Sequence, residues 1–238
     1  NVKHFMNHDK KRTLKTVYNK LNDLGYNVVY KLLNLIDFGL PQNRERILII
    51  GTKRGVFDFS KLPKITSKPL KDFLIESNEY EFLEQNEYTL LEYGVYKKQT
   101  SSGLIFRGYR NKKGFQRGVR PNSEHLNRSQ RQPNRIYSID GYHPTLPSQE
   151  SSGRFFIYLP EINKVRKLSI DECYKIMGFP TDFIKYPSLG SQYLQIGNSV
   201  GVPLIQEISK QIIEQKLLED NYDHQFHGLD SLLYTNNE

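Results

Sequence analysis

Sulfur is scarce in this sequence of 238 residues, which holds one cysteine, two methionines and no tryptophan. A lone thiol excludes a disulfide framework and fits a reducing compartment. No apolar run reaches the roughly 18 residues that a spanning helix needs, so no membrane partner is expected. No secretory apolar segment stands at the N-terminus, and the chain opens on Asn1 instead of an initiator Met. That opening fits processing, trimming or a piece of something longer. The six histidines and the carboxylates lack His-x-x-x-His or paired-Cys spacing, so no metal is expected. The 37% hydrophobic and 12% aromatic content fits a globular chain of one large or two small domains.

Charge is unevenly placed. Between Ser101 and Ile136 lie Arg107, Arg110, Lys112, Lys113, Arg117, Arg120, Arg128, Arg131 and Arg135, opposed only by Glu124. The 34 basic and 26 acidic residues of the whole chain leave 25 of each sign elsewhere, so this window holds the entire +8 excess. A neutral body with one cationic segment points to a localised polyanion contact. Phe106, Tyr109 and Phe115 are interleaved with the cations, and nearby glycines allow close backbone approach. That mixture suits phosphate and base contacts on nucleic acid, while a solvated loop is the plainer alternative.

The first fifty residues read as α/β. Thr13 can cap a helix with Leu14, Val17, Tyr18, Leu21 and Leu24 at helical spacing, and Gly25 stands where it would stop. Tyr26 to Leu33 is strand-like. After Gly39 and Pro41, Arg46 to Thr52 is the apolar run of a strand buried on both faces. Two or three strands cannot close a domain, so this segment reads as the end of a sheet begun elsewhere. Pro63 to Pro69 reads as a linker and Leu70 to Leu91 as mixed helical and acidic. Short strands are expected at Arg135 to Ile139 and Arg154 to Leu159, giving a smaller, mostly β domain. Ser169-Ile170-Asp171-Glu172 has the form of a capping box, opening a helix that buries Ile170, Cys173, Ile176 and Met177 before Gly178. Pro203 suits a first helical turn, with Leu204, Ile205, Ile208, Ile212 and Ile213 on one face. The tail from Asp220 onward has few anchors.

Three features could carry chemistry. Cys173 falls among apolar helix positions without a cationic partner, so it reads as core, not nucleophile. Arg44 and Arg46 would point to the same side of a strand that began early, offering two fixed guanidiniums to an anion or carbonyl; a solvated strand end is the plainer alternative. Gly197-Asn198-Ser199-Val200 before the Pro203 helix offers a tight turn and free amides, or is an ordinary capped turn.

Read in order, these pieces resemble the C-terminal part of a DNA (cytosine-5) methyltransferase. Asn1-Val2-Lys3, followed by His8-Asp9 and the helix from Thr13, resembles that family's Glu-Asn-Val motif without its Glu. Gln42 to Arg46 matches its Gln-x-Arg-x-Arg motif. Arg166-Lys167-Leu168, Glu172 and Met177-Gly178-Phe179-Pro180 resemble the ninth motif, and Gln195 to Val200 the tenth. The variable stretch between them is where the family keeps its target-recognition region, and Thr145-Leu146 resembles a small recurring element there.

The resemblance implies an α/β fold: the C-terminal part of an S-adenosylmethionine-dependent sheet domain plus a smaller, mostly β target-recognition domain. Residues 1–59 would end the catalytic domain, 60–169 form the recognition domain, 170–197 a hinge segment, and 198–238 return to the catalytic domain. In the family, a Cys thiolate attacks C6 of a flipped cytosine, a Glu meets N3, an Arg holds O2, and C5 takes a methyl from S-adenosyl-L-methionine. By position Arg46 would be the O2 ligand with Arg44 as its structural neighbour. Asn198, Ser199 and Val200 would close the cofactor pocket. Arg107, Arg110, Lys112, Lys113, Arg117, Arg120 and Thr145 would face double-stranded DNA.

The departures from the family pattern are as telling. There is no Pro-Cys nucleophile motif and no glycine-rich first motif for the cofactor. The nucleophile, the acid and most of the cofactor site are expected on an N-terminal half, in cis or as a separate subunit, so that this chain alone is inactive. The implied setting is a prokaryotic cytoplasm and a restriction-modification system. The alternative is a non-catalytic, sequence-specific DNA-binding module.

Overall fold

In the computed structural model, residues 3–77, 79–92, 97–99, 101–111, 134–150 and 153–218 are described. The chain divides into two units. One takes in residues 1–33, 45–64 and 205–238, the other 34–44 and 65–204. These boundaries interleave in sequence.

In the first unit, helix α1 spans Arg12–Asp23 and is followed by strand β1, Asn27–Asn34. The helix begins two residues earlier than expected, and Thr13 does not cap it. Its N-cap is Lys11 in left-handed conformation, while the Thr13 hydroxyl meets His8 Nδ1 at 2.7 Å. Gly25 stops the helix with a φ of 79°, as its position predicts. Strand β3, Glu45–Thr52, pairs with β1 in a sheet of two strands among the described residues. Ile47 and Ile50 are buried in it, with Leu48 and Ile49 half-buried. Lys3 reaches the start of β3 through an ion pair with Glu45 at 2.9 Å.

The second unit is mostly β. Its main sheet runs β10-β9-β7-β6-β4, with β5 also on β6. The strands are β4 (Tyr88–Leu90), β5 (Lys97–Gln99), β6 (Leu104–Arg110), β7 (Arg135–Ser138), β9 (Phe156–Leu159) and β10 (Lys164–Lys167). All pairings are antiparallel except β7 with β9. Tyr88, Ile136, Phe156, Tyr158 and Val165 form a core on one face, from different strands brought together by register. The expected helical character between Leu70 and Leu91 reduces to short 3₁₀ turns at Leu70–Phe73 and Gln85–Glu87.

Helix α2, Ile170–Lys175, opens with the expected capping box: Ser169 Oγ accepts from Glu172 N, and Glu172 accepts from Ser169 N at 2.9 Å. Cys173, Ile176 and Met177 are buried; Ile170 is half-buried. Gly178, with a φ of 80°, follows. Helix α3, Leu189–Asn198, is not apparent from the sequence pattern. Only Tyr193 and Ile196 are buried in it, so its amphipathic stripe is too narrow to stand out. Helix α4, Val202–Glu214, carries Pro203 in its first turn. It buries Leu204 and Ile208 but leaves Ile205 and Ile213 exposed, which narrows the expected apolar face. The tail from Asp220 lies outside the described residues.

Candidate active-site framework

The Gln-x-Arg-x-Arg segment does not form one continuous strand. Gln42–Asn43 is a two-residue strand, β2, pairing in parallel with β8, His143–Pro144. Arg44 follows it, and β3 starts only at Glu45, so the early strand start that would align Arg44 with Arg46 is absent. Asn34 closes this loop: its Oδ1 accepts from Arg44 N at 3.0 Å, and its Nδ2 donates to Asn43 Oδ1 at 2.6 Å.

Arg44 is fully buried. Its Nη1 donates to Leu146 O at 3.1 Å, and its Nη2 to Gly197 O at 2.7 Å and Ser199 O at 2.8 Å. A planar guanidinium has fixed, divergent donors, so one side chain can bind three carbonyls from separate segments. Gln42, also fully buried, adds two links that sequence reasoning did not single out. Its Oε1 accepts from Leu146 N at 3.1 Å, and its Nε2 lies 3.1 Å from Met177 Sδ. The Thr145 hydroxyl donates to Asn43 O at 2.8 Å. Four separate stretches thus converge: 42–44, 145–146, 177 and 197–199.

Gly197 is required by this convergence. A Cβ there would lie 2.2 Å from Ser148 Cα, because the backbone of residues 147–148 runs against the last turn of α3. The tight turn expected at residues 197–200 is therefore a helix end. Gly197 and Asn198 close α3, and Ser199 N donates back to Gln195 O at 2.8 Å. Asn198 is exposed, with Ser199 and Val200 half-buried.

Beside this cluster, His143 is fully buried. Its Nδ1 lies 2.7 Å from Pro144 O, so it carries the ring hydrogen, and Nε2 has no partner among the described residues. Burial depresses its pKa to about 4. Cys173 is fully buried, and burial, then the negative charge of Glu172, pushes its thiol well above the ordinary range. Such a thiol is packing material. Glu172 itself holds Arg166 in a buried bidentate pair, both contacts 2.7 Å, with Arg166 stacked 3.8 Å from the Tyr80 ring centre.

In the first unit, Arg46 is half-buried at the start of β3. Its Nη1 donates to Glu45 O at 2.8 Å, and burial lowers its pKa from the usual arginine value. A guanidinium stays charged there and keeps donors for a ligand carbonyl.

Of the cationic window, Arg107 and Arg110 are described; Lys112, Lys113, Arg117 and Arg120 lie outside the described residues. Arg107 is 8% exposed, its guanidinium 4.6 Å over the Tyr158 ring, and Arg110 sits 4.3 Å over Phe156. Simple alternation would put residues 107 and 110 on opposite faces. The irregularity between Phe106 and Gly108 brings both onto the face of Phe156 and Tyr158. Among the described residues no group of three or more His, Cys, Asp and Glu could hold a metal, and no helix is long and apolar enough to cross a membrane.

The convergence of these stretches is matched by likeness to known proteins. The family model for C-5 cytosine-specific DNA methylase matches residues 1–214. The chain belongs to this family. It is 33% identical over 220 residues to the type II methyltransferase M.HhaI of Haemophilus parahaemolyticus, covering 89% of this chain and 61% of that protein. It is 31% identical over 227 residues to M.Bsp6I of Bacillus sp. strain RFL6, covering 91% and 64%. The chain thus spans under two thirds of these relatives. Among solved structures it resembles Spodoptera frugiperda DNMT2 with a TM-score of 0.59 at 16% identity, covering 90% of this chain and 65% of that one. The S. pombe Dnmt2 methyltransferase gives 0.57 at 15%, covering 92% and 66%. These structural likenesses establish the mixed α/β fold.

Proposed function

We propose that this C-5 cytosine methylase family member works in methyl transfer from S-adenosyl-L-methionine to C5 of a flipped cytosine in DNA, supplying target recognition and part of the active site. The observation that carries this is the Arg44 cluster, which ties the Gln-x-Arg-x-Arg segment to Thr145-Leu146, Met177 and the Gly197–Ser199 turn. Arg46 holds the cytosine O2 and stabilises negative charge on the ring, and Arg44 positions the segment before it. The exposed Asn198, with Ser199 and Val200, fits one wall of a cofactor site, offering an amide, a hydroxyl and an apolar side chain. S-adenosyl-L-methionine supplies the electrophilic methyl when bound. Arg107, Arg110, Lys112, Lys113, Arg117, Arg120 and Thr145 serve DNA recognition, with Arg107 acting through its packing on Tyr158.

The nucleophilic Cys and the acid come, in this proposal, from an N-terminal half carrying a Pro-Cys motif, in cis or as a separate subunit. The buried Cys173 supports this, since it is the chain's one thiol and is inaccessible. Exposed Phe183, Ile184, Tyr186, Leu189 and Leu194 add an apolar stretch on the second unit of the kind a partner covers.

Methyl transfer to cytosine in duplex DNA, measured with the chain alone and with a supplied N-terminal half, tests the reading. Activity is expected only in the mixture; robust transfer by the chain alone would sink it. Arg46→Ala should abolish methylation in the mixture while DNA affinity is nearly kept. A large loss of affinity instead would favour a DNA-binding module without catalysis.

A further inference from the structure

A second cationic site lies far in sequence from the window. A cavity of about 630 Å³ in the first unit is lined by Lys10, Lys11, Arg12, Leu14, Lys15, Tyr18 and Tyr30. Four of its seven lining residues are cations and none is acidic. The nearby Asp9 is taken by Arg12 at 2.5 Å, and Lys10, Lys11 and Lys15 make no ion pair with described residues. Like charges around one concavity raise its positive potential, which favours an anionic occupant. Tyr18 and Tyr30, 37% and 44% exposed, add hydroxyls that can donate to phosphate oxygens and ring faces that bury little water.

The cavity's place narrows the occupant. Lys3 is fixed to Glu45, the neighbour of Arg46, and the chain then runs through 3₁₀ turns at Lys3–Met6 and His8–Lys11 into α1. The Lys3–Met6 turn packs on both β3 and α1, so the cavity and Arg46 belong to the same unit. A duplex whose base reaches Arg46 has its own backbone as the nearest source of anions.

We propose that this cavity holds phosphodiester groups of the bound DNA, a backbone contact separate from the cationic window. The proposal rests on the DNA-acting reading above. It assigns affinity without sequence readout to Lys10, Lys11 and Lys15, because phosphate contacts position a duplex and carry no base information.

The test compares duplex binding by fluorescence anisotropy across a salt series for three chains. These are the unaltered chain, Lys10→Ala/Lys11→Ala/Lys15→Ala, and a control of equal charge change in the same unit, Lys20→Ala/Lys31→Ala/Lys61→Ala. Each released phosphate contact removes about 0.9 from the slope of log affinity against log salt. The cavity variant should therefore lose between about 2 and 3 from the slope, equally on target and random duplexes, while the control loses under about 1. Equal losses in both variants, or no loss, would overturn the proposal and leave the parent reading standing. Absence of any salt-dependent duplex binding by the unaltered chain would fail both. Saturable amide shifts at Lys10–Lys15 on titrating inorganic phosphate, with the DNA slope unchanged, would assign the cavity to a free phosphate and reject the DNA contact.

Discussion

Arg44 shows what a single side chain can organise. Its carbonyl partners lie 102, 153 and 155 positions away in sequence, so nothing local announces them. From the sequence it reads as half of an arginine pair at a strand's start. In the fold it is a buried brace, and Arg46 alone keeps donors for a ligand. His143 is a second case, invisible as a site because its character comes from complete burial. The ring stays neutral when folded down to about pH 4, whereas an unfolded histidine takes up its proton near pH 6.5. Its contribution is therefore full above about pH 6.5 and is lost as pH falls toward 4, because the unfolded chain then binds more protons. The shift corresponds to roughly 3 kcal/mol across that window. Urea titrations at pH 7 and pH 4.5 should show that loss. His143→Gln, which cannot titrate, should flatten the difference between the two pH values relative to the unaltered chain; an unchanged difference would place the effect on other groups.

At the scale of elements, legibility follows the range of the signal. The start of α2 was readable because Ser169 and Glu172 are three residues apart and satisfy each other's backbone. The end of α1 was readable because Gly25 must be left-handed. The start of α1 was not, since its entry passes through Asp9, Lys10 and Lys11 with positive φ, a conformation their residue types do not advertise. Helix α3 is not legible for another reason: it is fixed by Gly197 against Ser148 and by two buried side chains. Glu172 does more than cap. It accepts from Ile75 N at 3.1 Å as well as holding Arg166, so it joins α2 to β10 and to the strand-poor segment before β4. Glu172→Gln would leave the Arg166 cation buried beside a neutral amide. Breaking a buried pair from one side costs about 3–5 kcal/mol, whereas removing both charges costs less. Chemical denaturation should rank Glu172→Gln well below Arg166→Met/Glu172→Gln in stability; the reverse order would mean that the contacts of Arg166 with the Tyr80 ring and Lys167 O outweigh the cost of its unpaired charge.

At the scale of the whole molecule, composition located the +8 excess but could not distribute its duties. Arg107 is largely committed to the Tyr158 ring, and the sheet irregularity that sends it there is not encoded in any charge count. What composition also could not show is how much apolar surface is left exposed. Ile184 is 91% exposed, Tyr186 57%, Leu194 51% and Leu189 46%, close together in sequence and all on the second unit. Scattered exposed apolar residues are ordinary, but a contiguous group marks an interaction surface. If an N-terminal half covers this stretch, charging it should harm assembly and spare the fold, because these side chains already lie in water. Ile184→Asp/Leu194→Asp should therefore keep the thermal midpoint and the DNA affinity of the isolated chain, while raising at least tenfold the concentration of N-terminal half needed for half-maximal methylation. The tenfold change corresponds to about 1.4 kcal/mol of interface energy, within reach of two buried aliphatic side chains. Methylation that saturates at the same concentration of N-terminal half would place the interface elsewhere on the chain.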